Sequence, residues 1–309
     1  MTGQLQSVLH PAGPDAVIIS QFAWVMFGVG TLIFIGVMVL LALGVKRAPR
    51  QVRPLRWIAG AGIVFPLVVL SALLAWSTWR SAELTPQSSK ASLVISVTAK
   101  MWWWEVRYHD KLTGREIVSA NEIRIPAGRD VYVALTATDV IHSLWVPALA
   151  GKRDMVPGRM TGLTLRADKQ GVYRGQCAEY CGAQHARMAL HVVAETPAAF
   201  EAWLARERQQ AAAPTDAFLE RGRQAFIGQR CAACHTIRGV AGETRLGPDL
   251  THVGSRLHIA AGTLRNHRGT LAGWIGDPQS IKPGARMPAA NDIDGETLRA
   301  LAAYLEHLK

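Results

Sequence analysis

The chain has 309 residues, of which 49% are apolar and 18% charged, and a formal net charge of +11. That length holds about two or three domains, and the apolar share is high for a soluble protein but low for one that crosses a membrane many times. The positive excess divides as +4, +4 and +3 over residues 1–84, 85–210 and 211–309, so no basic cluster marks a nucleic-acid surface and that class of partner is excluded.

Residues 22–45 and 57–79 form uncharged runs of 24 and 23 residues. About 20 such residues span a bilayer as a helix, so both runs are long enough to cross one. A pair of buried core helices is the other reading, and their length and lack of charge disfavour it. Lys46, Arg47, Arg50, Arg53 and Arg56 lie between the runs. A short basic loop stays on the cytoplasmic side, which puts the N-terminus and everything after Arg80 on the outer face. Trp24, Trp57, Trp76 and Trp79 fall near the span ends, where interfacial aromatics belong. No Lys or Arg precedes Lys46, and the first run is too long for the apolar core of a signal peptide. The expectation is an uncleaved two-pass hairpin within residues 1–84.

From residue 93 the pattern changes to short alternating runs at 93–99, 131–136, 172–174 and 190–193, separated by Gly114, Pro126-Ala127-Gly128 and Pro157-Gly158. Such spacing predicts an all-β sandwich or barrel over residues 85–200. Near its end comes Cys177-Ala178-Glu179-Tyr180-Cys181-Gly182-Ala183-Gln184-His185-Ala186-Arg187-Met188. Two thiols four apart, an imidazole four further on and a thioether three beyond make a soft N/S donor set, which selects copper among the first-row metals. Two cysteines on one short loop can bridge two copper ions that share an electron. Such a pair changes its bond lengths little on reduction, which suits electron transfer. A structural zinc site is the alternative for the cysteines, although Met is a poor zinc ligand.

The pattern C-x-E-x-C-G-x-x-H-x-x-M resembles the CuA loop of cytochrome c oxidase subunit II. The resemblance implies a cupredoxin-like Greek-key barrel and six ligands for a dinuclear copper centre: His142, Cys177, Glu179 through its backbone carbonyl, Cys181, His185 and Met188. His142 enters through Asp139-Val140-Ile141-His142-Ser143, which is similar to the family's D-V-x-H-S segment. The resemblance also implies that the Glu179 side chain reaches a magnesium ion shared with oxidase subunit I; a solvated carboxylate is the alternative. Met101-Trp102-Trp103-Trp104-Glu105 is similar to the aromatic stretch that receives electrons from cytochrome c, with Trp102 in the exposed position. A strand with aromatic packing is the other reading of those tryptophans. His109 and His191 match no ligand position and read as structural.

Thr196 and Pro197 open a helix with Phe200, Trp203 and Leu204 on one face, and residues 209–214 read as a linker. Residues 201–214 are therefore expected to join the barrel to a further domain over residues 215–309. There Cys231-Ala232-Ala233-Cys234-His235 is C-x-x-C-H, the attachment pattern of a covalent haem c. The thiols add to the two vinyl groups and the histidine ligates the iron. Thioredoxin-like chemistry is the alternative, which the trailing histidine and the lack of a βαβ pattern disfavour. Met287, in Ile281-Lys282-Pro283-Gly284-Ala285-Arg286-Met287-Pro288, supplies the second axial ligand of a His/Met haem. That segment resembles the P-G-x-x-M-P of small class I cytochromes c, and Leu246-Gly247-Pro248-Asp249-Leu250 resembles the stretch whose proline carbonyl orients the haem histidine. His252, His258 and His267 are competing ligand candidates, with surface histidines the favoured reading. Helices are expected over 216–229 and after an Asp294 cap, the latter with Leu298, Leu301, Leu305 and Leu308 on one face. All four cysteines belong to the two motifs, so none is left for a structural disulfide.

Together these motifs are similar to subunit II of bacterial haem–copper oxidases that carry a fused class I cytochrome c. The resemblance implies a multi-domain protein of the bacterial inner membrane with both redox domains on the periplasmic face. Electrons would pass from a periplasmic donor, such as a cytochrome c or the bc complex, through haem c and CuA to the oxygen-reducing site of subunit I. That transfer would be coupled to proton pumping, with subunit III as a further partner. No catalytic residue for oxygen chemistry is expected in this chain. The copper domain is net basic, which does not suit docking of a basic cytochrome c, so the fused haem is expected to receive the electrons. Two other readings stay open: the input subunit of a nitric-oxide reductase, and a membrane-tethered carrier with no obligate partner. Gly28, Gly30, Gly36, Gly60 and Gly62 favour packing against a partner. Pro54-Leu55-Arg56-Trp57 lacks the glutamate that many subunit II sequences carry before that tryptophan, which weakens the case for proton uptake through this subunit.

Overall fold

The computed structural model describes residues 6–46, 53–84, 93–109, 114 and 116–309. Of the basic loop, Arg47 and Arg50 lie outside the described residues. The chain forms two compact units, a hairpin within Asp15–Pro86 and a second unit that holds the rest.

The hairpin consists of the helix Pro14–Lys46 and the span Pro54–Leu84, with mean hydropathies of 2.6 and 2.4. Both start ahead of the uncharged runs. Asp15 sits in the first turn of one, where a carboxylate meets the positive helix end, and Pro54 occupies the first position of the other. The second span widens into a π-helical stretch, Ile58–Val64, just before Pro66. A proline has no N–H to donate and its ring pushes away the carbonyl four residues back, so the helix opens there. Near the span ends Phe22 meets Trp76 edge-on at 4.9 Å, and Arg80 Nη2 donates to Gln21 Oε1 at 2.7 Å. A Cβ placed on Gly28, Gly30, Gly36, Gly60 or Gly62 would meet nothing within 4 Å, so the small-residue faces stay bare within this chain.

The second unit begins with a cupredoxin-like Greek-key barrel of ten strands in two sheets. One sheet runs β3 (Glu116–Ala120), β2 (Trp103–His109), β1 (Leu93–Lys100), β5 (Val131–Ala137), β8 (Thr161–Leu165). The other runs β4 (Glu122–Pro126), β10 (Ala189–Glu195), β9 (Gly171–Cys177), β6 (His142–Trp145), β7 (Arg153–Met155). Inward residues alternate along the strands, as the period of two requires. Ile95, Val97 and Ala99 of β1 line the core beside Val131, Val133 and Leu135 of the neighbouring parallel strand β5, all of them 1% exposed or less. The anticipated turns fall at Gly114, Gly128 and Gly158, each with a φ near +70°, which glycine adopts at no steric cost. The helix Pro197–Glu207, capped by Thr196, lays Phe200, Trp203 and Leu204 onto this core. Residues 6–14 also run along the barrel: Ala12 N–H donates to Ala148 O at 2.7 Å and Asp168 N–H to Ala12 O at 2.9 Å.

The C-terminal part is a helical cytochrome c fold that also carries one short two-stranded sheet, β11 (His258–Ile259) and β12 (Leu264–Arg265). Asp216 caps the helix Ala217–Gly228 and Asp294 caps Gly295–His307; the two cross with Gly222 against Ala300 and Tyr304. Leu301, Leu305 and Leu308 are buried there, and Leu298 packs from the edge. The linker is pinned: Ala211 N–H donates to Arg238 O at 3.1 Å, and His252 Nε2 bonds Gln209 O at 3.1 Å. His252 is thus buried, His258 stacks on His191 at 4.1 Å between ring centroids, and His267 caps the helix Arg268–Gly276. His252 and His258 are therefore not the surface residues expected, because the two domains close over them.

That closure is polar. The buried Glu122 carboxylate accepts from Leu257 N–H at 2.9 Å and pairs with Arg124, and Lys100 Nζ donates to Arg245 O at 2.8 Å. Burial holds the His191 imidazole down to about 3, with the charges of His258 and Arg174 acting the same way. Burial likewise lowers His258, opposed by Glu122 and reinforced by Arg265 and Arg174.

Two outcomes follow from this packing. Gly222→Ala drives a methyl into Ala300 O and should cost about 1–3 kcal/mol, as overpacked sites do, read from chemical denaturation of the full chain. His191 is held neutral when folded but takes a proton near 6.5 when unfolded. Its contribution is therefore complete above pH 6.5 and is lost as the pH falls toward 3. His191→Gln should flatten that part of the thermal-midpoint profile; an unchanged profile would count against the buried pair.

Candidate metal centre and haem site

All six residues expected around copper meet at one end of the barrel. His142 opens β6, Cys177 closes β9, and Met188 immediately precedes β10, so the loop between β9 and β10 is anchored at both ends. Cys177 N–H donates to Met188 O at 2.9 Å and Ala178 N–H to Ser143 O at 2.9 Å, which closes the loop into a ring beside β6. The two sulfurs lie 3.8 Å apart, unbridged. His142 Nδ1 is 3.8 Å from Cys177 Sγ, His185 Nδ1 is 3.7 Å from Cys181 Sγ, Met188 Sδ is 3.9 Å from Cys181 Sγ, and the Glu179 carbonyl is 3.2 Å from Cys177 Sγ. Among the described residues, His142, Cys177 and Cys181 form the one cluster of His, Cys, Asp and Glu tight enough for a metal ion. All three are buried.

The electrostatics fit a cation between the sulfurs. The Cys181 hydrogen bond lowers the Cys177 thiol against the cost of burial, with His142 adding to it. The same hydrogen bond raises Cys181, and burial adds, because a second negative sulfur alongside would be repelled. A metal ion in place of the proton removes that repulsion.

Asp139 is the member of this site that spacing did not assign. Its carboxylate accepts from Met101 N–H at 2.7 Å and Val140 N–H at 2.8 Å, and its Oδ1 meets His142 Nε2 at 2.8 Å. It thereby turns the Nδ1 face of His142 toward Cys177. Burial resists ionisation of Asp139, but the bonds from His142, Val140 and Met101 prevail and hold it below the usual carboxylate range. The signal was in the sequence, since Asp139 opens the D-V-x-H-S segment itself.

The tryptophans part ways. Trp104 is fully buried in the core, whereas Trp102 is half-buried, packs on Gly182 and donates from Nε1 to Cys181 O at 2.8 Å. The Glu179 carboxylate turns outward and pairs with Lys152 Nζ at 3.1 Å.

In the cytochrome fold, Cys231–Ala233 forms a 3₁₀ turn with Cys231 and Cys234 half-buried and unbridged. His235 Nδ1–H donates to Pro248 O at 2.7 Å, which leaves Nε2 as the ligating nitrogen. Burial lowers the pKa of His235, with the Pro248 bond opposing, and so favours the neutral form that binds metal. A side chain on Gly247 would strike that ring, so the glycine keeps the face clear. Met287 packs against the edge of the same core, its loop shaped by Gln279 Nε2 donating to Ala285 O at 2.7 Å and to Met287 O at 3.2 Å. The donor sets of both sites fit the groups their motifs call for.

Residues 113–195 match the family model for the periplasmic domain of cytochrome c oxidase subunit II, and residues 219–309 match that for cytochrome c. Cytochrome c oxidase subunit 2 of Alkalihalophilus pseudofirmus is 34% identical over 320 residues, covering 98% of this chain and 91% of that one. The Bacillus subtilis protein of the same name is 29% identical over 285 residues, covering 86% and 78%. The solved periplasmic domain of subunit II of Bradyrhizobium japonicum cytochrome oxidase is similar at 30% identity, covering 40% of this chain and 97% of that one with a TM-score of 0.37.

Asp139→Ala should lower copper affinity about 10- to 100-fold, the usual cost of losing a group that orients a ligating histidine. Copper titration of the full chain, followed by thiolate-to-copper absorption, measures it, and unchanged affinity would remove Asp139 from the site.

Proposed function

The chain belongs to the cytochrome c oxidase subunit II family, and we propose that it is the electron-input subunit of a respiratory oxidase, serving a haem–copper site in a separate large subunit. The observation that carries this reading is the convergence of six donors, two unbridged sulfurs among them, on one end of a barrel that is joined to a C-x-x-C-H fold. Copper and haem, when bound, supply reversible one-electron storage at potentials set by their surroundings.

Each residue then has a task. Cys177, Cys181, His142, His185, Met188 and the Glu179 carbonyl would hold the copper. The buried position of Cys177, Cys181 and Met188 in the barrel core keeps water out. Cys231 and Cys234 would attach the haem covalently, and His235 and Met287 would ligate its iron. The Glu179 carboxylate is the side-chain oxygen on the copper loop that a magnesium ion shared with subunit I would take, in exchange for Lys152. Trp102 lies against the copper loop and under the cytochrome fold, since its carbonyl accepts from Lys282 Nζ at 3.4 Å. That covering supports delivery by the donor to the fused cytochrome rather than at Trp102. The two bare helices anchor both domains on the periplasmic side of the inner membrane and offer small-residue faces to subunit I. Subunit III and a periplasmic cytochrome c or bc complex complete the assembly, which couples the transfer to proton pumping.

Oxygen uptake by the complex that co-purifies with this chain, driven by a reduced donor, is expected to be fast and abolished by cyanide. A complex that carries copper and haem but takes up no oxygen would shift the terminal acceptor to nitric oxide. His185→Asn or Met188→Leu should remove or distort the mixed-valence copper EPR signal, and a normal spectrum in both variants would overturn the ligand assignment.

A further inference from the structure

Lys282 is 3% exposed, although it lies in the Met287 loop, where a lysine would ordinarily be solvated. An ammonium has three N–H donors, and burying one is costly unless each finds an acceptor. Here Nζ donates to three backbone carbonyls from three separate segments. Arg187 O, in the copper loop, lies at 2.9 Å; Ala260 O, between β11 (His258–Ile259) and β12 (Leu264–Arg265), at 3.2 Å; and Trp102 O at 3.4 Å. Flanking contacts join the same two loops. Gln184 Nε2 donates to Pro283 O, Arg187 Nη1 donates to Ile281 O, and Gly284 approaches Ala183 closely enough that a Cβ there would lie 3.7 Å from the alanine methyl. Residues 281–284 are thus fastened to residues 183–187, with Met287 three residues beyond one end and His185 and Met188 at the other.

We infer that Lys282 is a positioning residue whose ammonium locks the Met287 loop onto the copper loop, fixing the separation of the two redox sites and the through-bond route between them. The inference rests on the electron-input reading for its purpose, but the lock itself is a property of these side chains. Tunnelling rates fall exponentially with separation, so a loop free to drift would slow the step between the sites without touching a ligand. Carbonyl acceptors also suit the task. They hold a cation by dipoles that are fixed in place, and so add no mobile counter-charge between the two sites.

The test uses the full-length chain loaded with copper and haem, in detergent, with Lys282→Met as the variant. A ruthenium photoreductant injects an electron at the haem, and haem and copper absorption report its passage. Haem reduction by the photoreductant and the spectra of both centres should be unchanged. Haem-to-copper transfer should slow about tenfold or more, because ångström-scale misplacement of reacting partners is costly. Hydrogen exchange gives a readout independent of turnover: peptides over 181–188 and 278–288 should exchange faster together, while 231–235 stays protected. Gln184→Leu, which removes a neighbouring contact, is carried alongside and decides the matter if Lys282→Met fails to load. Unchanged transfer with unchanged exchange would overturn the lock. Faster exchange in the variant, with no transfer between the sites even in the parent chain, would uphold the lock and overturn the electron-input reading.

Discussion

The structure depends on one closure: the hydrogen bond from Cys177 N–H to Met188 O that ties the ends of the copper loop together. Twelve residues bounded by that bond can arrange four donor side chains only because β9 and β10 hold its ends in antiparallel register, with Ala189 facing Gln176. A free loop of this length would have to be ordered by the metal, and the ordering entropy would weaken binding. Here the barrel core has already ordered it. Cys177, Cys181 and Met188 are part of that core, so the metal-facing side chains are fixed by the packing that folds the domain. A site that barely relaxes when its charge changes is what fast electron exchange requires, and rigidity of this kind comes from β-sheet more readily than from a surface loop.

The pattern of what could be read in the sequence follows from range. The copper loop spans twelve consecutive residues, so its chemistry was legible as spacing. His142 lies 35 residues away and was legible only through its own short segment. Helix boundaries in the cytochrome fold were legible because Asp216 and Asp294 cap locally, each accepting from an N–H within three residues. The strands were legible from alternation, and their turns from glycine. What could not be read lies where distant segments meet through backbone atoms. Lys282 bonds carbonyls 180, 95 and 22 residues away, and a carbonyl has no letter in a sequence. For the same reason His252 and His258 looked like surface residues, and the backbone bonds of Ala12 to the barrel had no sequence signal.

The interface between barrel and cytochrome shows how fusion changes the rules of docking. Two separate proteins that exchange electrons find each other by complementary surface charge, because encounter rate limits them. Both halves of this chain are net positive, which would oppose such an encounter. Tethering by residues 209–214 makes the encounter intramolecular, and a short tether supplies a high effective concentration without any charge attraction. The contact surface is then free to use other devices. Lys100, Lys282 and Arg187 each donate across it to carbonyl oxygens, and Glu122 accepts a backbone N–H. Like net charges can sit on both sides because each cation is offset locally, by carbonyl dipoles and by carboxylates: Lys100 also pairs with Glu105 at 2.8 Å, and Arg245 reaches Glu116 across the junction at 3.7 Å.

That arrangement also decides which surfaces stay open. Trp102 and the copper loop lie against the cytochrome domain, held there by Lys282, Pro283 and Ile281. On the exposed part of the cytochrome fold, Leu246, 73% exposed and two residues before the carbonyl that accepts from His235, is the most exposed large apolar side chain. A chain built this way turns one end of the barrel into an internal junction and leaves Leu246 exposed on a domain that contributes none of the side chains gathered around Cys177 and Cys181.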